Sequence, residues 1–112
     1  MRLDDELFEV VAERFKVLAE PARLRILDAL REGELAVGAL AERTGLNQAN
    51  LSKHLQLLHA LDFVTRRKDG LFVYYQLADD EVFQLCDIMC GRIPNVQRGA
   101  FSRGRAKRPR LH

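Results

Sequence analysis

Residues 48–64 read QANLSKHLQLLHALDFV, and two kinds of side chain interleave in them. Wound at about 100° per residue, Leu51, Leu55, Leu58 and Leu61 fall on one side, with His54 inside that arc and Leu57 at its margin. Gln48, Ala49, Ser52, Lys53, Gln56 and His59 fall on the other. A solvated helix face ordinarily carries both signs of charge, and this one has no carboxylate. Amides pair with adenine edges, and a lysine reaches guanine or a phosphate. The face therefore has the chemistry of a major-groove reader. Asn47 and Asn50 sit at its start, where phosphate contacts are expected.

Two further groups carry chemistry. Arg66, Arg67 and Lys68 stand just before an Asp69-Gly70 pair. Cations there can reach a minor groove or phosphates, although three in a row also serve to blunt an edge strand. Cys86 and Cys90 are four residues apart, which on a helix puts their Cβ atoms about 5–6 Å from each other. A disulfide wants about 3.5–4.5 Å, so closing one would distort the helix. Two thiolates converging on one soft ion suit the spacing better, with arsenite, antimonite, mercury or Cu(I) as candidates. A thiol made acidic by its surroundings would instead sense persulfide or oxidant, and the carboxylate of Asp87 works against that. Cysteine is also a small apolar residue, and packing alone is a third reading of the pair.

These groups need elements to hold them. Leu7, Val10, Val11, Phe15 and Leu18 recur at helical spacing over residues 4–18. Pro21 suits the first turn of a second helix, with Leu24, Leu27 and Leu30 inward and Gly33 closing it. Residues 36–43 give a short third helix. After the break at TGLN, Asn47 is a natural cap for a fourth. From residue 63 the period changes to two. Asp69-Gly70 between β-prone runs predicts a hairpin with a type I′ turn, placing Val64 opposite Tyr75. Asp79 or Asp80 then caps a last helix over 80–92, with Val82, Leu85, Cys86 and Met89 on one stripe.

The order is therefore four helices, two strands and a fifth helix, a mainly α chain with a β-hairpin. A short helix, a tight turn and an acid-free helix make a helix-turn-helix, and the hairpin adds a wing. Sequence-specific binding of double-stranded DNA is the function this order points to.

Composition agrees. The chain has 112 residues, 47% apolar and 30% charged, which fits one modest soluble domain that pairing with a second copy would help. No apolar run approaches the ~20 residues of a membrane span. The start, MRLDDELFEV, is acidic, unlike a secretory signal. Two cysteines make no disulfide framework, so a reducing cytoplasmic setting is expected. The net charge of +2 hides an asymmetry: residues 1–91 hold 11 cations against 16 acids, and residues 92–112 hold 7 cations and no acid. Residues 1–93 are expected to form the binding domain and 94–112 a basic, flexible tail able to lie along phosphates. There is no Gly-rich phosphate loop, nucleophile elbow or close His/Cys/Glu set, so the chain is not expected to be an enzyme.

The stretches LAEPARLRILDAL, LAERTGLNQANLSKHLQLLHALDFV and RRKDGLFVYYQL together resemble the ArsR/SmtB family of winged helix-turn-helix repressors, from about Phe15 to Leu77. The resemblance implies a homodimer with the first and last helices at its interface. It also implies a partly palindromic operator and release by a chemical signal, with no cofactor required beyond an inducer such as As(III). By position it makes Gln48, Ser52, Lys53 and Gln56 the base-facing residues. The family's Cys-x-Cys metalloid site at the third helix is absent, since Ala36 and Gly38 stand there. Its Asp/His site on the last helix lacks a histidine here, which leaves Cys86 and Cys90.

Overall fold

The computed structural model describes residues 4–93. The chain divides into two compact units, Met1–Asp79 and Asp80–His112. The basic tail, 94–112, and the domain boundary expected there lie outside the described residues.

In the first unit the elements run α1 (Asp5–Leu18), α2 (Pro21–Ala29), β1 (Leu35–Ala36), α3 (Val37–Thr44), α4 (Gln48–Ala60), β2 (Val64–Asp69) and β3 (Phe72–Leu77). The helix starts follow from their caps. Asp4 accepts from the Leu7 N–H and Glu20 from the Ala22 N–H, each at 2.9 Å, with Pro21 in the first turn of α2. A single 3-10 turn, Leu30–Glu32, ends at Gly33. Gly45 stops α3 at φ +76°, the left-handed cap that only glycine adopts without penalty, and its N–H donates to the Ala41 carbonyl.

Four helical rows and one sheet face meet in the core. Val17 comes from α1, and Ile26, Leu27 and Ala29 from α2, with Leu30 just beyond. Leu40 comes from α3, Leu51, Leu55 and Leu58 from α4, and Val64 and Tyr75 from the sheet. One expectation changes here. Leu24 is exposed and Ile26 takes the inward place on α2. On α1 the periodic row Val10, Val11 and Phe15 is exposed, and Val17 alone is buried. The row is amphipathic as expected, and among the described residues its apolar side is exposed.

The sheet has three strands rather than two, in the order β1-β3-β2, all antiparallel. Its added strand β1 is two residues long and pairs Leu35 with Tyr75 and Ala36 with Tyr74. The hairpin closes one residue later than expected. Asp69 stays in β2 opposite Phe72, so Gly70 and Leu71 are the turn residues. Only Gly70 there has positive φ, +63°, the pattern of a Gly-X type II′ turn. A type I′ turn would have forced Asp69 into the left-handed region as well, at a cost that glycine avoids. Moving the turn by one residue moves the pairing by two, so Val64 faces Leu77 and Arg66 faces Tyr75. Side-chain faces survive such a shift: Val73, Tyr75 and Leu77 remain inward, while Leu71 at the tip is 98% exposed.

The second unit carries α5 (Glu81–Cys90), shorter at each end than the helix expected over 80–92. Asp80 occupies its cap position without a side-chain hydrogen bond to the helix. Leu85, Ile88 and Met89 are exposed, and Cys86 and Cys90 are half-buried. No helix of the described residues is long and apolar enough to cross a membrane.

Candidate nucleic-acid interface

The first turn of α4 is built by Asn47. Its Oδ1 accepts from the Asn50 N–H at 2.8 Å, and the Asn47 carbonyl accepts from the Leu51 N–H. The cap engages the acceptor of the amide, and its NH2 group keeps the donors a phosphate oxygen needs. Thr44 fixes the preceding turn: its hydroxyl donates to the Leu40 carbonyl at 2.7 Å and accepts from the Leu46 N–H.

From that start, burying Leu51, Leu55 and Leu58 turns the other face outward. Gln48, Asn50, Ser52, Lys53 and Gln56 are all exposed, as is Asn47. No acid lies in the first turn. The positive end of the helix dipole, one ammonium and a row of amides therefore share one surface, which suits a polyanion with hydrogen-bonding edges. His54 is half-buried, and its Nδ1 accepts from Arg23 Nε at 3.1 Å. This satisfied setting accords with its place in the leucine arc. His59, near the helix end, is also half-buried.

Sequence reasoning passed over two arginines that hold α4 in place. Arg23 also donates to the Val17 carbonyl at 2.9 Å, tying α4 to the end of α1. Arg14 of α1 donates to the Leu61 carbonyl at the far end of α4 at 2.6 Å, and its guanidinium lies 4.8 Å from the centre of the Phe63 ring. Their positions in charged-apolar helix patterns gave no sign of partners 31 and 47 residues away.

On the wing the three cations part company. Strand alternation puts Arg66 and Lys68 on the face of Val73 and Tyr75, and Arg67 on the opposite face with Tyr74. All three are exposed. Arg67 grips both oxygens of Glu34, Nε at 2.9 Å and Nη2 at 2.8 Å, lies 4.6 Å over the Tyr74 ring, and has Asp69 at 3.5 Å. That hydrogen bond, ahead of the Coulomb attraction, holds the Glu34 carboxyl below its ordinary value of 4.5. The same partner holds the Arg67 guanidinium more firmly protonated. A carboxylate with a lowered pKa contributes stability that is present above 4.5 and lost as pH falls through the lower folded value. Glu34→Gln should therefore change stability by a constant amount between about pH 5 and 8, and by a shrinking amount as the solution is acidified further. Urea unfolding at several pH values measures the difference, and one that grew toward acid would contradict the sign.

The thiols present a narrower picture. Cys86 and Cys90 lie one turn apart on α5, and among the described residues no group of three or more His, Cys, Asp or Glu side chains could hold a metal ion. One chain offers a pair of soft donors, enough for a two-thiolate grip and short of a closed tetrahedral site.

Comparison with known proteins places this arrangement. The family model for bacterial regulatory proteins of the arsR family matches residues 20–66, from the start of α2 into the wing. The nodulation protein NolR of Rhizobium meliloti is 43% identical over 77 residues, covering 69% of this chain and 63% of that protein, so somewhat less than two thirds of its length is spanned. The HTH-type transcriptional regulator NmtR of Mycobacterium tuberculosis is 40% identical over 85 residues, covering 76% of this chain and 71% of NmtR. Among solved structures, the homodimeric winged helix-turn-helix DNA-binding domain of Mb0332 from Mycobacterium bovis superposes with a TM-score of 0.68 at 33% identity, covering 97% of each chain. The family match, the relatives and the solved structure agree: this chain is a winged helix-turn-helix protein and belongs to the arsR family of bacterial regulatory proteins.

Proposed function

We propose that the chain is a homodimeric transcriptional repressor of the cytoplasm. In this reading it holds a partly palindromic operator with α4 and leaves it when Cys86 and Cys90 bind a thiophilic metal or metalloid of the arsenite kind. The observation that carries the DNA half is the outward face of α4, where Gln48, Ser52, Lys53 and Gln56 are exposed without a carboxylate among them. These four read base edges, Asn47 and Asn50 hold phosphates, and Arg66 and Lys68 reach the backbone or minor groove beside the site. Apolar side chains left exposed on α1 (Phe8, Val10 and Phe15) and on α5 (Leu85, Ile88 and Met89) support pairing with a second copy. A two-fold dimer would match a palindrome half-site for half-site. The inducer half rests on the thiol pair: two cysteines can displace hydroxides from arsenious acid as water, forming two As–S bonds without any change of oxidation state.

Gel-shift titration in increasing salt tests the first half. Affinity should fall linearly in logarithmic coordinates as phosphate contacts give way to counterions. A fragment-independent or salt-insensitive shift would count against it. For the second half, arsenite should weaken operator binding of the parent chain by about 5–150-fold, the usual range of allosteric coupling. The double variant Cys86→Ser, Cys90→Ser should ignore it. If arsenite does nothing and peroxide or persulfide releases the parent chain alone, thiol oxidation replaces ion binding. Equal response of both proteins would leave the cysteines as packing residues.

A further inference from the structure

Arg67 is the middle one of three successive cations, yet its surroundings differ from those of its neighbours. Its side chain crosses the ring of Tyr74, its cross-strand partner on β3, and ends in the two oxygens of Glu34. Glu34 immediately precedes β1, and β1 runs directly into α3. One guanidinium thereby links the outer strand of the wing, over the central strand, to the root of the helix-turn-helix. We propose that Arg67 serves DNA binding as a positioning residue: its grip on Glu34 sets the angle of the wing, and so the place where Arg66 and Lys68 meet the duplex.

Three features support this. A hairpin alone is marginal and free to twist, and β1 contributes only two residue pairings to hold it. A two-point guanidinium–carboxylate contact fixes orientation as well as distance. A phosphate approaching Arg67 would have to displace a carboxylate already seated on two of its nitrogens, exchanging one oxyanion for another with little gain.

The inference rests on the proposed contact between wing and DNA, and the test separates the two. The probe is a duplex selected by the full chain from a random-sequence pool, with binding followed by fluorescence anisotropy across a salt series. Glu34→Gln, Arg67→Gln and Arg67→Lys should each weaken binding, roughly three- to tenfold, and leave the salt slope at the parent value. Lysine keeps the charge but lacks the fork, so it should not rescue. Lys68→Gln should instead lower the slope by about 1 for each half-site. Without DNA, amide exchange along Thr65–Lys68 should quicken in the Glu34 and Arg67 variants and not in Lys68→Gln. Tighter binding by Glu34→Gln, rescue by Arg67→Lys, a lowered slope in Arg67→Gln, or parent-like affinity in all three would overturn the brace. An unchanged slope in Lys68→Gln would overturn the wing contact beneath it.

Discussion

Leu55→Ala should lower the stability of the chain by about 2–5 kcal/mol, the usual cost of emptying a leucine site in a packed core. Leu55 is 1% exposed and stands between Leu51 and Leu58 on the inner row of α4, both fully buried. Native domains of this size have only about 5–15 kcal/mol in hand, so the loss should bring the melting temperature down by ten degrees or more. Gln56→Ala, the very next residue, is exposed and should fall within about 0.5 kcal/mol of the parent chain. Thermal unfolding by circular dichroism at one protein concentration measures both, since a dimer's melting point moves with concentration. The contrast matters for function because the same rotation that buries Leu55 exposes the amides. A loss below about 1 kcal/mol for Leu55→Ala would mean that α4 is not anchored by its leucines, and its polar face would lose its fixed direction.

That rotation was legible in the sequence because it depends on neighbours within one helix. Leucines at spacings of four and three residues, an asparagine ahead of them and a glycine stop before that are all local signals. The core row, the Asn47 cap and the exposed strip follow from them. What escaped was of another kind. Leu35 and Ala36 form a strand only because Tyr74 and Tyr75, some forty residues on, present an open edge, and two residues carry no period. Asp69-Gly70 fits two turn frames one residue apart, and the choice follows from which residue must accept positive φ. Periodicity along α1 reports an apolar face and not what covers it, and Val10, Val11 and Phe15 on that face are exposed. Alternation along β2 could have separated Arg67 from Arg66 and Lys68, but nothing local pointed to Glu34, 33 residues earlier. Arg14 and Arg23 follow the same pattern: each joins α1 to α4 through a partner distant in sequence. Together they make the pose of α4 depend on α1, whose apolar residues Val10 and Phe15 are exposed.

Lys53→Glu is the substitution expected to harm DNA binding most. It removes the ammonium of the α4 face and places a carboxylate where the surface has none. Losing a good side-chain contact to a base costs about 1–3 kcal/mol per half-site, and the new charge adds repulsion from phosphates on both sides of the groove. Specific binding should fall by well over tenfold, and the salt dependence should flatten because fewer counterions are released. Gln48→Ala isolates the reading component. It carries no charge, so it should cost about 1–3 kcal/mol per half-site on the selected duplex, leave binding to unrelated DNA unchanged and keep the salt slope. Circular dichroism should show both variants as stable as the parent, since both side chains point to solvent. The pair of results decides between two uses of one surface. If Gln48→Ala weakens all duplexes alike, the face only grips the backbone and specificity must come from the shape of the DNA. If it weakens one duplex and Lys53→Glu weakens every one, amides read while the lysine holds, and the absence of acids on α4 is the condition that lets both work at once.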